Sequence, residues 1–143
     1  MLVKDVMTKG VITADPKITA QKAAKIMNTN KIGAIILVTK EKLVGILTER
    51  DIVINLVMDD LTASDTSVED IMTNDPVLIE DDADVDEAIE AMNEHHVKRL
   101  PVISGSELVG MITTSDICAL QPKAIERISK LITSPKESKA MAG

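Results

Sequence analysis

The feature that most constrains this chain is that it contains the same unit twice. When the sequence is shifted by 65 residues, it aligns with itself without a gap. The matched segments are residues 3–8 with 68–73, residues 43–48 with 108–113, and residues 51–52 with 116–117. An ungapped register of this kind is typical of a duplicated supersecondary unit. The chain is therefore predicted to contain two copies of a unit of about fifty residues.

Both repeats show the same order of predicted elements: strand, helix, strand, strand, helix. Thr19 and Asp84 are predicted N-caps of the first helices, because apolar residues at helical spacing follow each of them. A second helix is predicted after Thr48 and after Thr113. The predicted strands are residues 11–13, 34–38 and 43–47 in repeat one, and residues 77–79, 100–103 and 108–112 in repeat two. The polar residues 39–42 and 104–107 predict hairpin loops between the last two strands of each repeat.

The predicted fold class is α/β (α+β), with two β-α-β-β-α repeats packed about a pseudo-twofold axis. One unit has too little apolar surface to be stable alone, so the two are expected to pack together. The predicted organisation is repeat one at residues 1–57, a linker at 58–67, repeat two at 68–120, a C-terminal helix at 121–134 and a flexible tail at 135–143. The C-terminal helix is predicted from an apolar stripe formed by Ala124, Ile125, Ile128, Leu131 and Ile132.

The composition argues against several classes of partner. The net charge of −7 argues against a nucleic-acid partner, because duplex binding relies on clustered Lys and Arg, and without Phe, Tyr or Trp the sequence offers no aromatic platform for stacking unpaired bases. No apolar stretch approaches the roughly 20 residues that span a bilayer, and the N-terminus turns polar at Lys4 and Asp5 without an apolar signal region, so the prediction is a cytoplasmic protein without a membrane partner. The single cysteine, Cys118, cannot form an internal disulfide and is interpreted as a core residue.

The motif Gly-x-x-Thr-x-x-Asp ends the third strand of both repeats, at Gly45-Thr48-Asp51 and Gly110-Thr113-Asp116. One interpretation is a capping box, in which Thr caps the following helix and Asp returns to its backbone. The other is a ligand site. Free N–H groups at a helix start favour a phosphate, a nearby carboxylate accepts ribose hydroxyls, and the glycine admits backbone or ligand at close range.

Three features together resemble a known family. Each repeat starts with Val-Met-Thr or Ile-Met-Thr, the second repeat carries Leu100-Pro101-Val102, and the Gly-x-x-Thr-x-x-Asp motif occurs twice. The chain is similar over about residues 1–120 to tandem CBS-domain (Bateman) modules. The resemblance implies a regulatory binder of AMP, ADP, ATP or S-adenosylmethionine. The prediction names no catalytic residue, no bound metal and no cofactor other than the ligand.

The resemblance also implies roles for particular residues. Asp51 and Asp116 would hold the ribose hydroxyls, and Thr48, Thr113 and Ser115 belong to the predicted phosphate-contacting motifs. The other repeat would supply the residues that flank the adenine. These are Val77, Val97 and Lys98 near Asp51, and Ile12, Ile32 and Gly33 near Asp116. Repeat one departs from the pattern, because Ile35-Ile36-Leu37 stands where repeat two has Leu-Pro-Val.

The only concentrated positive segment is residues 95–99, His-His-Val-Lys-Arg. It is either a solvated turn after a helix or a phosphate clamp at the mouth of a site, with Lys98 and Arg99 as the candidate contacts. Adjacent histidines lack the spacing of a metal-binding pair, so no metal site is predicted.

The leading hypothesis is a non-catalytic sensor that binds an adenine nucleotide between its repeats. The sequence shows no Ser-His-Asp, Cys-His or metal-ligand constellation that would support an enzyme. The alternatives are a binder of S-adenosylmethionine or another adenosyl ligand, and a structural dimerisation module with vestigial sites. The predicted partners are a second copy of the chain, in a homodimer, and an unidentified regulated protein. The dimer is predicted because the helices after both motifs carry excess apolar surface.

Overall fold

The computed structural model describes residues 1–133, apart from the side chains of residues 130, 132 and 133. The predicted tail at 135–143 lies outside the described residues. In chain order the elements are α1 (Val3–Val6), β1 (Thr13–Ala14), α2 (Ala20–Asn30), β2 (Ala34–Thr39), β3 (Lys42–Thr48), α3 (Glu49–Met58), β4 (Thr73–Asn74), β5 (Ile79–Glu80), α4 (Val85–His95), β6 (Arg99–Ser104), β7 (Glu107–Thr113), α5 (Thr114–Leu120) and α6 (Ile125–Thr133). The mixed α+β fold with two β-α-β-β-α repeats is confirmed. Within residues 1–133 no helix has the length and apolar content needed to cross a membrane.

The described chain divides into two compact units. The first-repeat unit is Val11–Pro76, and the second-repeat unit combines Met1–Gly10 with the chain from Val77 onward. The division does not follow the sequence repeat, because the first ten residues belong to the second-repeat unit. In the same way, residues 68–76, which open repeat two in the sequence, belong to the first-repeat unit.

The first-repeat unit is built on a sheet in the order β1-β2-β3-β4. β1 runs parallel to β2, whereas β2 with β3 and β3 with β4 are antiparallel. Lys40 and Glu41 both adopt positive φ in the two-residue turn between β2 and β3, a conformation that fits the twist of a tight hairpin. The core between the sheet and α2 consists of Ala20, Ala23, Met27, Ile35, Leu37, Leu47, Val68 and Ile71.

The second-repeat unit repeats this design on the strands β5-β6-β7. β5 is parallel to β6, β6 is antiparallel to β7, and the register shift between Val102 and Ile103 matches the one between Leu37 and Val38. Its core adds residues from α6, so that the cluster is Val3, Val6, Val85, Ala88, Ile89, Met92, Leu100, Val102, Ile112, Ile117, Ala124, Ile128 and Leu131.

Each sequence repeat begins with a leading segment, residues 3–8 in repeat one and residues 68–73 in repeat two. The two leading segments occupy equivalent places in the two units. Thr8 forms an antiparallel bridge with Met111 of β7, just as Thr73 of β4 pairs with Ile46 of β3. The matched residues Val3 and Val68 are both fully buried, each in the core of its own unit. Each unit is therefore completed by a segment that lies next to the other repeat in the sequence.

Two details differ from the sequence-based expectations. The first strands are two-residue strands, β1 and β5, which begin two residues later than predicted because only those residues pair in register with the neighbouring strand. The C-terminal helix begins with a separate 3-10 turn at Pro122–Ala124, and Ile125 is exposed rather than part of the apolar stripe. One residue on from Ala124 is a rotation of about 100° around a helix, which turns Ile125 away from the buried face.

Candidate functional site

The Gly-x-x-Thr-x-x-Asp motif of repeat one lies where β3 becomes α3. The Asp51 N–H donates to Thr48 Oγ1 over 3.1 Å, and the Thr48 N–H donates to Asp51 Oδ2 over 2.9 Å. The next N–H, that of Glu49, donates to the carbonyl of Gly33 over 3.1 Å. The reciprocal bonds between Thr48 and Asp51 form a capping box, so the capping interpretation is confirmed here.

Repeat two reproduces this geometry where β7 becomes α5. The Asp116 N–H donates to Thr113 Oγ1 over 3.1 Å, and the Thr113 N–H donates to Asp116 Oδ2 over 3.0 Å. The Thr114 N–H donates to the carbonyl of Lys98 over 2.9 Å. The strand-opening residues Gly33 and Lys98 therefore each lie at the motif of their own unit.

The capping box leaves hydrogen-bonding capacity unused at both helix starts. No bond within residues 1–133 involves the Oδ1 atoms of Asp51 and Asp116 or the hydroxyl protons of Thr48 and Thr113. The same holds for the second N–H of each helix, from Arg50 in α3 and from Ser115 in α5. One carboxylate oxygen, one hydroxyl proton and one N–H are thus available at each site, and capping does not exclude ligand binding.

The glycine of each motif allows the leading segment to pack closely against the strand that carries the glycine. A Cβ at Gly45 would lie 2.6 Å from Met72 Sδ and 2.9 Å from the Thr73 carbonyl oxygen. A Cβ at Gly110 would lie 2.7 Å from both Met7 Sδ and the Thr8 carbonyl oxygen. Of the two roles that the sequence left open for this glycine, the structure shows close approach of backbone.

The strand-opening residues make the two sites different. Arg99 is the cross-strand partner of Thr113, and Ala34 is the corresponding partner of Thr48. Side chains of directly paired residues lie on the same face of a sheet, so the half-buried Arg99 shares a face with Thr113. Lys98 is exposed.

The remaining predicted contacts are partly accounted for by core packing. Ile32 packs against the core of the first-repeat unit, and Val77 and Val97 pack against the core of the second. The carbonyl of Ile12 accepts the Ile36 N–H over 3.3 Å, which extends the pairing of β1 by one bond.

The residues that the resemblance assigns to one site belong to different units. Asp51 belongs to the first-repeat unit, whereas the residues assigned to it, Val77, Val97 and Lys98, belong to the second. Ile12, Ile32 and Gly33 belong to the first-repeat unit, and Asp116 to the second.

Two acidic features lie outside the motifs. Asp84 caps α4 by accepting the Asp86 N–H over 2.9 Å, and this bond is the main reason that the pKa of the Asp84 carboxyl lies below its usual value. Glu80, Asp81 and Asp82 place carboxylate oxygens within 4.8 Å of one another, but one Glu80 oxygen already accepts the Gly105 N–H. Neither feature adds a residue to the two sites.

Sequence reasoning did not predict a groove between α2 and α3 of the first-repeat unit. Its volume is about 540 Å³, and it is lined by Ala24, Met27, Asn28, Lys31, Ile32, Glu49, Ile52 and Val53. The signal in the sequence is the largely apolar segment at residues 52–57, which was interpreted only as excess apolar surface on the helix after the motif.

Comparison with known proteins agrees with this architecture. The family model for the CBS domain matches residues 3–57 and again residues 68–123. Hypoxic response protein 1 of Mycobacterium tuberculosis is 34% identical over 134 residues, which cover 92% of this chain and 94% of that protein. A solved CBS domain pair of protein MJ0100, in complex with 5'-methylthioadenosine and S-adenosyl-L-methionine, is 32% identical with a TM-score of 0.78, covering 86% of this chain and 97% of that chain.

The module also occurs within larger proteins. Inosine-5'-monophosphate dehydrogenase of Thermoplasma acidophilum is 32% identical over 117 residues, which are 81% of this chain and 23% of that enzyme. The chain thus spans nearly all of some relatives, 66% of another and less than a quarter of the dehydrogenase. Because the family model matches most of the chain in two places and a relative at 34% identity is covered almost completely, this chain belongs to the CBS-domain family and carries a tandem pair of CBS domains, a regulatory module.

Proposed function

We propose that this chain is a regulatory module that binds an adenine nucleotide, AMP, ADP or ATP, and performs no chemistry itself. The observation that carries the proposal is the matched pair of helix starts. Each has a carboxylate oxygen, a hydroxyl proton and an N–H that no bond within residues 1–133 uses.

The chemistry of these groups fits the two polar parts of a nucleotide. A ribose presents two hydroxyl donors, and the free Oδ1 of Asp51 or Asp116 is an acceptor for them. A phosphate needs donors, which the threonine hydroxyl and the second helical N–H provide at the positive end of the helix dipole. With no aromatic residue in the sequence, the adenine would be held by aliphatic side chains and backbone groups.

The two sites are proposed to differ in how they select phosphate. Arg99 is paired with Thr113 across the strands, and the backbone carbonyl of Lys98 accepts the Thr114 N–H, whereas the first-repeat unit has the uncharged Ala34 and Gly33 at these positions. A chain of net charge −7 repels a polyanion unless positive charge lies at the site. The site of the second-repeat unit is therefore expected to contribute most of the preference for phosphorylated ligands.

A second candidate ligand is S-adenosylmethionine or a related adenosyl compound. It is supported by the 32% identical CBS pair that was solved with 5'-methylthioadenosine and S-adenosyl-L-methionine. Both ligand classes share the adenosine portion, so the proposed role of Asp51 and Asp116 is the same. The two ligand classes differ in the group that would lie near the threonine. A phosphate accepts hydrogen bonds from the nearby N–H groups, whereas a cationic sulfonium does not.

The proposed output is a change of population between two states of the module. A ligand that binds one packing arrangement better than another shifts the equilibrium toward it, and a regulated protein can recognise the difference. We also propose that the chain self-associates as a homodimer, since exposed apolar residues are concentrated on α3.

The test is thermal unfolding with AMP, ADP, ATP, S-adenosylmethionine, 5'-methylthioadenosine and adenosine. Free ligand at 100 times Kd adds about 2.7 kcal/mol to the free energy of unfolding. For a chain of this length the melting temperature should rise by roughly 5 to 10 °C. Circular dichroism or calorimetry is the suitable readout, because the sequence has no Trp or Tyr.

The pattern of shifts identifies the ligand class. Larger shifts with AMP or ATP than with adenosine support the nucleotide, and larger shifts with the sulfur compounds support the alternative. No shift with any compound at millimolar concentration would contradict ligand binding. The closed capping boxes would then favour a structural dimerisation module, in which Thr and Asp serve only the helices.

A further inference from the structure

The thioethers of two repeat-matched methionines lie against the motif glycines. A Cβ at Gly45 would lie 2.6 Å from Met72 Sδ, and a Cβ at Gly110 would lie 2.7 Å from Met7 Sδ. Each sulfur therefore fills space that a side chain at the glycine would otherwise occupy. Met72 also packs against the core of the first-repeat unit, and Met7 packs against the core of the second. Both methionines are thus part of the contact between a leading segment and its strand.

Exposure separates Met7 and Met72 from the other methionines of the described chain. Three of those are buried: Met27, Met92 and Met111. Two are largely exposed, Met1 at 56% and Met58 at 74%. Met7 and Met72 are half-buried. Within residues 1–133 they are therefore the methionines that pack against a core and remain partly accessible to a small molecule in solvent.

Met7 and Met72 each directly precede the residues through which a leading segment pairs with its strand. Thr8 and Met111 exchange two N–H···O bonds, of 2.8 and 3.0 Å, in an isolated bridge. β4, which follows Met72, pairs with β3 over only two residues. Segments held by few backbone bonds open at low cost in free energy. The packing of each methionine is therefore important for keeping this end of the leading segment in place.

We propose that Met7 and Met72 form a redox-sensitive switch, in which a hydroperoxide oxidises the two thioethers and thereby releases the ends of the leading segments from β7 and β3. The sulfur attacks one peroxide oxygen, so that an S–O bond forms and the O–O bond breaks. The proton of the transferred oxygen passes to the leaving oxygen, which departs as an alcohol, or as water when the oxidant is hydrogen peroxide. The sulfur loses two electrons and becomes a sulfoxide. This switch goes beyond the proposed nucleotide binding and does not depend on it.

A sulfoxide fits poorly where either thioether lies. Oxidation makes the side chain larger and polar. The carbonyl oxygens of Thr73 and Thr8 lie within 2.9 and 2.7 Å of the same Cβ positions, so a sulfoxide oxygen directed toward the strand would meet another acceptor. Directed toward the core, it would be buried without a donor, which costs free energy. The oxidised side chain is therefore expected to turn toward solvent and give up its packing.

The switch is reset by reduction of the sulfoxide. Methionine sulfoxide reductases, one for each epimer, restore the thioether. The electrons come from a dithiol, which becomes a disulfide, and the oxygen leaves as water. Reversal distinguishes a switch from oxidative damage.

The test is treatment of the full chain with hydrogen peroxide, followed by peptide mass spectrometry, thermal unfolding and hydrogen exchange. A dose that converts the exposed Met58 should also convert Met7 and Met72, and the melting temperature should fall by at least about 5 °C. Amide exchange should accelerate at Thr8 and Met111 in the second-repeat unit, and in β4 of the first. Both reductases with dithiothreitol should reverse these changes.

The matched variants remove the oxidisable sulfur without changing the apolar character of the side chain. The double variant Met7→Leu, Met72→Leu should fold, because this exchange nearly conserves volume, and it should keep its melting temperature in peroxide. Each single variant should protect one unit only. Met58→Leu, the control on an exposed position, should respond to peroxide as the wild type does.

Four results would overturn the proposal. Met7 and Met72 could resist a dose that converts Met58, or their conversion could leave melting and exchange unchanged in the wild type. The double variant could lose as much stability in peroxide as the wild type, or the reductases could fail to reverse the loss. The first two measurements use the wild-type chain, so they decide the matter even if a variant does not fold.

Discussion

At the scale of single residues, the helix cap uses only one carboxylate oxygen of each motif aspartate and leaves the hydroxyl proton of the threonine without a described partner. One Asp51 oxygen accepts the Thr48 N–H and holds the cap of α3, while the other points to no described donor. The same division holds at Asp116. A substitution that keeps the cap but removes the charge can therefore separate structure from binding.

Asp51→Asn and Asp51→Ala are predicted to behave differently. The side-chain carbonyl that Asp51→Asn introduces can still accept the Thr48 N–H, so unfolding should change little, whereas Asp51→Ala should cost about 1 kcal/mol. Both should weaken ligand binding several-fold at that site, because bonds to a charged acceptor are about 1 kcal/mol stronger than neutral ones. Calorimetry and urea unfolding measure the two effects.

The control for this prediction is Thr19→Ala, which removes the cap of α2 outside the motif. It should lower the free energy of unfolding by about 1 kcal/mol and leave ligand affinity unchanged. If Asp51→Asn and Asp116→Asn, alone and together, bind every ligand as tightly as the wild type, the aspartates serve only as caps.

Lys98 and Arg99 give a second residue-scale prediction. Their double replacement by Ala should weaken AMP or ATP at least tenfold and hardly change adenosine, since well-formed charge-assisted bonds contribute about 1.5 to 3 kcal/mol each. Lys22→Ala with Lys25→Ala, which removes two exposed charges from α2, is the matched control for net charge. Equal losses for adenosine and AMP would indicate damage to the fold, and no loss for either would identify residues 95–99 as a solvated turn.

At the scale of elements, the motif glycines let each leading segment lie close beside the strand that ends in the motif, β3 or β7. Gly45→Ala should destabilise the chain by about 1 to 3 kcal/mol, because the new methyl group meets the Thr73 carbonyl oxygen, which the backbone holds in place. Gly110→Ala should behave alike through the Thr8 carbonyl. Gly105→Asn, at a positive-φ turn with open space around it, should change stability by less than about 1 kcal/mol. Urea unfolding midpoints compare the three, and a neutral Gly45→Ala would show that β4 can move away.

At the scale of the whole molecule, each leading segment packs in the unit of the other repeat. This exchange of leading segments determines which unit a substitution in either segment destabilises. Val3 and Val68 are repeat-matched and fully buried, but Val3 packs in the second-repeat unit and Val68 in the first. Replacement of either by Ala should cost about 2 kcal/mol. Native-state hydrogen exchange should accelerate in α4, β6 and β7 for Val3→Ala, and in α2, β2 and β3 for Val68→Ala. The opposite pattern would contradict the exchange.

Much of this protein was determined by the sequence alone, because the deciding interactions are local. The duplicated register, the helical and strand periodicities and the caps at Thr19, Thr48, Asp84 and Thr113 each depend on residues a few positions apart, and all four caps are confirmed. The same locality explains why the first strands were misplaced, since a two-residue strand is defined only by its partner.

Only the tertiary structure decided which unit each leading segment completes and which helix α6 packs against. Residues 3–8 and 68–73 are nearly the same in sequence, so either could pair with β3 or β7, and the choice depends on long-range packing. Likewise, the stripe of α6 showed that it needed an apolar partner, but not that the partner is α4, nor that the matching surface on α2 and α3 stays open. Local propensities determine which helices and strands form. The packing of one element against another depends instead on which arrangement of the whole chain buries its apolar surfaces most favourably.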